Sequence, residues 1–247
     1  MTERGLSRRR LLTAGAVVGA APLAAANTFP GGQDEPFKQN AAAFPGPAKT
    51  GDDFAFFNPA EQTFIKAAVA RLIPNDNLGP GALEAGVHIF IDRQLAGPFG
   101  QARDWYMQGP WAQGEKTQGY QSRMNPAGLY RAAIAAIGDA TQSQFRKPFH
   151  QLSPGDQDAF LKNLEAGEAK LSGGVDGKGF FKLLMQNVIE GYFSDPLYGG
   201  NRGMGPWRMI GFAGARYDQR QYVKAYNQPY PLPPVGIYGR PEWERQG

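Results

Sequence analysis

The side chains that most often do chemistry are scarce in this chain of 247 residues, and the scarcity excludes a good deal. There is no cysteine, which removes c-type haem attachment, cysteine-ligated iron–sulfur clusters, Cys-type structural zinc and disulfides. The two histidines are His88, in an apolar stretch with helical spacing, and His150, which follows Pro148-Phe149. A bis-His haem would need both, yet neither has a carboxylate or a second histidine at ligand spacing, so core or helix-end roles are expected. Asp92 and Asp104 are the carboxylates an independent hydrolase would use, with solvated or helix-end charges as the simpler reading. No serine sits in a G-x-S-x-G elbow, and no G-x-G-x-x-G follows a strand-like run. The densest motif runs from Phe193 to Phe212 and mixes glycines with Tyr198, Arg202, Trp207 and Arg208. It describes a backbone led through tight turns and close approaches, anchored by a few large side chains. A phosphate cradle would need Lys-Ser or Lys-Thr after the glycines and a helix opening at once; Pro206-Trp207 stands there instead, so nucleotide binding is not expected.

The elements that must carry these residues are helical. Asn58-Pro59-Ala60-Glu61 supplies an N-cap, a proline at the first helical position and a capping carboxylate. Phe64, Ile65, Ala68, Val69 and Leu72 follow at helical spacing, predicting a helix that ends near Pro74. A second is predicted from Gly81 to Ala96, closed by Gly97-Pro98. Asn125-Pro126 starts a third running toward Phe145, and Ser153-Pro154 starts a fourth. Asp176 caps a fifth that keeps its apolar stripe to about Tyr192. Between the second and third helices, Phe99 to Met124 carries Trp105, Tyr106, Trp111 and Tyr120 without a period, rings that pack on this domain or meet another subunit. Beyond Tyr222, five prolines among Tyr226, Tyr230, Tyr238 and Trp243 predict an extended, polyproline-like arm. The fold class is therefore all-α, an irregular bundle of about five helices with long loops. Residues 57–221 form the helical domain, 27–56 an extended N-terminal segment and 222–247 the arm.

Residues 1–26 read as an address. Ser7, Arg8 and Arg9, then Arg10, Leu11 and Leu12, place a twin arginine ahead of a weakly apolar run that ends in Ala24-Ala25-Ala26. From Leu11 to Ala26 that run has 16 residues, against roughly 20 needed to span a bilayer. A leader cleaved after Ala26 is expected, with export of a folded protein by the twin-arginine translocase. The leader also accounts for most of the net charge: of 26 basic and 22 acidic residues, it holds four arginines and Glu3. What remains is nearly balanced and has no basic stripe, so nucleic acid is not an expected partner.

The run Asp195-Pro196-Leu197-Tyr198-Gly199-Gly200-Asn201-Arg202, with Trp207-Arg208-Met209-Ile210-Gly211-Phe212 and the earlier Leu72-Ile73-Pro74-Asn75-Asp76 and Gly81-Ala82, resembles the gluconate 2-dehydrogenase subunit 3 family, the small gamma subunits. The likeness covers about Phe57 to Tyr217 and departs from the family pattern at Pro206 and Ala213. It implies a helical, cofactor-free partner of a large FAD-containing dehydrogenase subunit and a multihaem cytochrome c subunit, whose haem c passes electrons to quinone. The implied location is the periplasmic face of the inner membrane, and the implied role is escort and stabiliser of a flavoprotein without its own export signal. No catalytic, cofactor or metal residue is then expected in this chain, and Tyr198, Gly199, Gly200, Asn201, Arg202, Trp207, Tyr238 and Trp243 are the candidate contact with the flavoprotein. Similar small subunits accompany dehydrogenases of glucose, fructose and sorbitol, with gluconate favoured by the Tyr198–Arg202 run. The alternative is a stand-alone periplasmic sugar-binding protein using the glycine-rich loop and its aromatics as a platform.

Overall fold

Four helices start on side chains that cap them, and these starts organise the domain. In the computed structural model, which describes residues 53–237 and Gly239 apart from Gln113, Lys116 and Gln121, α1 spans Pro59–Leu72. Asn58 Oδ1 accepts the Glu61 amide at 3.0 Å, and Glu61 Oε2 accepts the Asn58 amide at 2.9 Å, a closed capping box. Asn125, Ser153 and Asp176 cap α3 (Pro126–Phe145), α4 (Pro154–Ala166) and α5 (Gly177–Phe193), each side chain accepting the amide three residues on. The leader, Tyr238 and Trp243 lie outside the described residues.

The second helix departs from its expected start. It runs over Val87–Ala96 as α2, because Gly86 takes a left-handed conformation (φ 76°) and residues 82–86 form turns rather than a first helical coil. A sixth, short helix, α6 (Gly205–Ile210), interrupts the glycine-rich run that was expected to stay irregular. Pro206 occupies its first turn, where a missing amide proton costs nothing. Among the described residues there is no strand, only isolated bridges.

α5 is the spine of the bundle. Its stripe of Phe180, Leu184 and Val188 is fully buried, and it packs chiefly against α2 and α4, with α1 and α3 completing the layer around it. Each such side chain removed from water contributes about 1.5–3 kcal/mol. The crossing of α2 over α5 is close because Gly191 has no side chain: a Cβ there would come within 2.6 Å of the Phe90 ring. Tyr130 of α3 fills the middle of the core edge-on to Phe180, with centroids 5.2 Å apart. Its burial, helped by the charge of Glu190, pushes the phenol well above its ordinary pKa of 10.0. On the surface, Arg71 and Asp158 join α1 to α4 through two parallel bonds of 2.8 and 2.6 Å.

The tail beyond Tyr222 is not a single extended rod as far as it is described. Residues 220–222 form a 3-10 turn, further turns follow, and Tyr230 folds back edge-on to Tyr222 at 4.9 Å. The chain then returns to the domain: Ala215 N donates to Val235 O at 2.6 Å and Val235 N to Ala213 O at 3.3 Å. Ala213 thus supplies a backbone carbonyl to this closure.

Candidate functional site

The glycine-rich motif is built inward from the end of α5. Asp195 Oδ1 accepts the Leu197 amide at 3.0 Å and holds a 3-10 turn over Pro196–Tyr198. Its other oxygen accepts the Ile237 amide at 2.8 Å, so one carboxylate fixes both the motif and the returning tail. Gly200 then passes so close to α5 that a Cβ would run into the Gly191 carbonyl. Asn201, in a left-handed conformation (φ 47°) and fully buried, donates from Nδ2 to Ser194 O at 2.9 Å. The Arg202 amide donates to Ala85 O at 3.1 Å, which ties the loop to the turns ahead of α2.

Trp207 completes this packing. It is only 5 % exposed, donates from Nε1 to Phe193 O at 2.9 Å and meets Phe212 edge-on at 5.1 Å. Of the residues expected at a partner contact, then, Gly199, Gly200, Asn201 and Trp207 lie in this chain's own interior, and Tyr198 and Arg202 are on its surface. The physical reason is that Gly199 and Gly200 pack directly on Ile89 and the Gly191 carbonyl, while the Trp207 indole finds its acceptor in Phe193 O. Surface rings and aliphatics do gather in this part of the sequence: Tyr198, Ile210, Phe212, Tyr217 (88 % exposed), Val223 and Tyr226 (77 % exposed) all fall between residues 198 and 226. Ile210, Phe212 and Tyr217 were not among the expected contact residues; Ile210 ends α6, and Phe212 and Tyr217 follow it.

Asp92 has a structural task. It is fully buried in α2 and accepts three consecutive amides, Ala55 N at 2.6 Å, Phe56 N at 3.0 Å and Phe57 N at 2.8 Å. Arg131 closes the same segment from α3. Its Nη2 donates to Phe56 O at 2.9 Å, its Nη1 bonds both oxygens of Glu61 at 2.9 Å, and its guanidinium lies 4.3 Å from the Phe56 ring centre. Residues 55–57, where the N-terminal segment joins the helices, are therefore clamped on both sides. Asp104 is exposed and sits 3.4 Å from its neighbour Arg103, so the two aspartates of the hydrolase reading have separate structural surroundings. His88 is buried against the Phe54 ring at 5.9 Å, and His150 is exposed in a 3-10 turn. Among the described residues no group of three metal-ligating side chains converges, and no helix is long and apolar enough to cross a membrane.

The aromatic loop from Phe99 to Met124 forms one wall of an open cleft of about 990 Å3, and the first turns of α5 form the other. Trp105 is held edge-on to Phe99 at 5.6 Å and tilted against Tyr120 at 5.2 Å. Tyr120 donates its hydroxyl to Met124 O at 2.7 Å, and burial raises its pKa above the ordinary value.

Fold and motif together define an all-helical domain organised around one buried glycine-rich loop between its fifth and sixth helices. A family model described as gluconate 2-dehydrogenase subunit 3 matches residues 59–214, well over half of the chain, and the chain belongs to that family. The match begins with the first residue of α1 and ends at Gly214, where the returning tail closes on the domain. The family's name makes its members subunits of a multi-subunit dehydrogenase. Comparison with curated proteins and with solved structures gives no match.

Proposed function

We propose that this chain is the non-catalytic small subunit of a periplasmic, membrane-associated, FAD-dependent sugar or sugar-acid dehydrogenase, and that it stabilises the flavoprotein and escorts it through twin-arginine export. Gluconate, oxidised to 2-ketogluconate, is the favoured substrate of the complex. FAD resides in the large partner and haem c in a multihaem cytochrome partner. The observation that carries the reading is family membership across α1 to α6. Two features of the chain support it. Ser7-Arg8-Arg9 with Leu11-Leu12 has the form of a twin-arginine address, and the aromatic-rich surface between Tyr198 and Tyr226 has the composition of a contact rather than of a solvated loop.

Purification of the affinity-tagged full chain, co-expressed with its large and cytochrome partners, tests this directly. The expected preparation carries a flavin spectrum and a haem spectrum that belong to the co-purified larger polypeptides, whereas the chain expressed alone is colourless and oxidises no gluconate. A tagged chain that emerges without a flavoprotein under co-expression, or that binds one flavin per molecule by itself, contradicts the reading.

A further inference from the structure

The walls of the cleft between the aromatic loop and α5 have a distinct chemistry. On one side Trp105, wedged between Phe99 and Tyr120, and Tyr106, 81 % exposed, present ring surface to the opening. On the other, Gly179, Lys182 and Gln186 recur at helical spacing along one face of α5. Asp176 also borders the cleft, but its carboxylate is committed to the Gly179 amide at 2.9 Å as the helix cap. Lys182 and Arg123 outnumber the Asp176 carboxylate among the lining charges; Gln186, whose Nε2 donates to Glu190 at 2.8 Å, keeps its amide oxygen and second N–H for a ligand, while Gln118 Oε1 already accepts the Glu115 amide at 2.7 Å. The volume falls at the upper end of the range for small-molecule sites, which pair apolar ring surface with a few convergent polar groups.

We propose that this cleft binds a polyhydroxylated carboxylate, the sugar-acid class. The rings suit the C–H face of a sugar chain, the Gln186 amide its hydroxyls, and Lys182 or Arg123 its carboxylate. The site lies apart from the glycine-rich loop, whose Trp207 is buried and offers no platform. The choice of a sugar acid rests on the dehydrogenase reading above, whereas the demand for an anion with hydroxyls rests on the walls themselves.

Isothermal titration of the purified full chain with D-gluconate, D-glucose and acetate tests the proposal. Saturable binding of D-gluconate is expected, with D-glucose and acetate each much weaker. Lys182→Gln and Tyr106→Ala, both at exposed positions of the cleft wall, should weaken gluconate binding at least about tenfold, the usual effect of losing a charge-assisted bond or a ring face. Their thermal midpoints should stay at the parent's value. Absence of saturable heat overturns the proposal, as does equal binding of glucose, equal binding of acetate, or indifference to both substitutions. None of these failures bears on the subunit role, which the co-purification decides separately.

Discussion

Gly200→Ala is expected to lower the stability of the domain by about 3 kcal/mol, the upper part of the range for forcing an extra carbon into a packed interior. The position has no room: the new Cβ would run into the Gly191 carbonyl and come within 2.8 Å of Ser194 Oγ. Because the first obstacle is backbone at the end of α5, relief requires the loop to lift away, and that motion strains the Asn201–Ser194 bond and the tie from Arg202 to Ala85. At roughly 2–4 °C per kcal/mol for a domain of this size, the thermal midpoint should fall by about 10 °C. Gly203→Ala is the internal comparison. Gly203 also lies in the motif but has a positive φ (61°) and nothing within 4 Å of its would-be Cβ, so it should cost only the left-handed penalty of about 1–2 kcal/mol. If thermal melts place Gly203→Ala at or below Gly200→Ala in stability, close packing on Gly191 is not what shapes the motif.

Asp92→Ala should be comparably severe. It leaves three adjacent amides of residues 55–57 without the carboxylate that accepts them at 2.6–3.0 Å. Bonds to a charged group contribute about 1.5–3 kcal/mol each but share one anion here, so a total loss of about 3–4 kcal/mol is expected. Asp92→Asn keeps one acceptor oxygen and loses the charge, and should fall between parent and alanine. The loss should be local before it is global: hydrogen exchange at the Ala55, Phe56 and Phe57 amides should accelerate by far more than at the amides of α5. A uniform change across the domain, or a loss under about 1 kcal/mol, would show that the clamp is redundant with Arg131.

What was legible in the sequence, and what was not, follows from the range of the interactions. The starts of α1, α3, α4 and α5 depend on residues three apart, Asn58 with Glu61 or Asp176 with Gly179, and such patterns are written in consecutive letters. The start of α2 was misread because Val87 follows a left-handed Gly86, and nothing local distinguishes that glycine from one inside a first turn. Asp92 looked like a candidate acid because its partners are 35–37 positions earlier in the chain. Trp207 looked like a contact anchor for the same reason: the carbonyl that satisfies its indole belongs to Phe193, on the far side of the glycine run. Rings in a loop state that a surface exists for them, but not whose surface it is. The cleft was half visible, since Trp105, Tyr106 and Tyr120 stood out, while nothing in the sequence set Lys182 and Gln186 apart.

The central claim is that this chain holds a flavoprotein and carries it out of the cytoplasm, and the most direct measurement replaces Arg8 and Arg9 together with lysine and follows both proteins by cell fractionation. One folded complex crossing on one address predicts that this chain and the flavoprotein are stranded in the cytoplasm together, with gluconate-dependent reduction of the cytochrome lost from the periplasmic fraction. A flavoprotein that still reaches the periplasm when this chain does not would contradict the escort role.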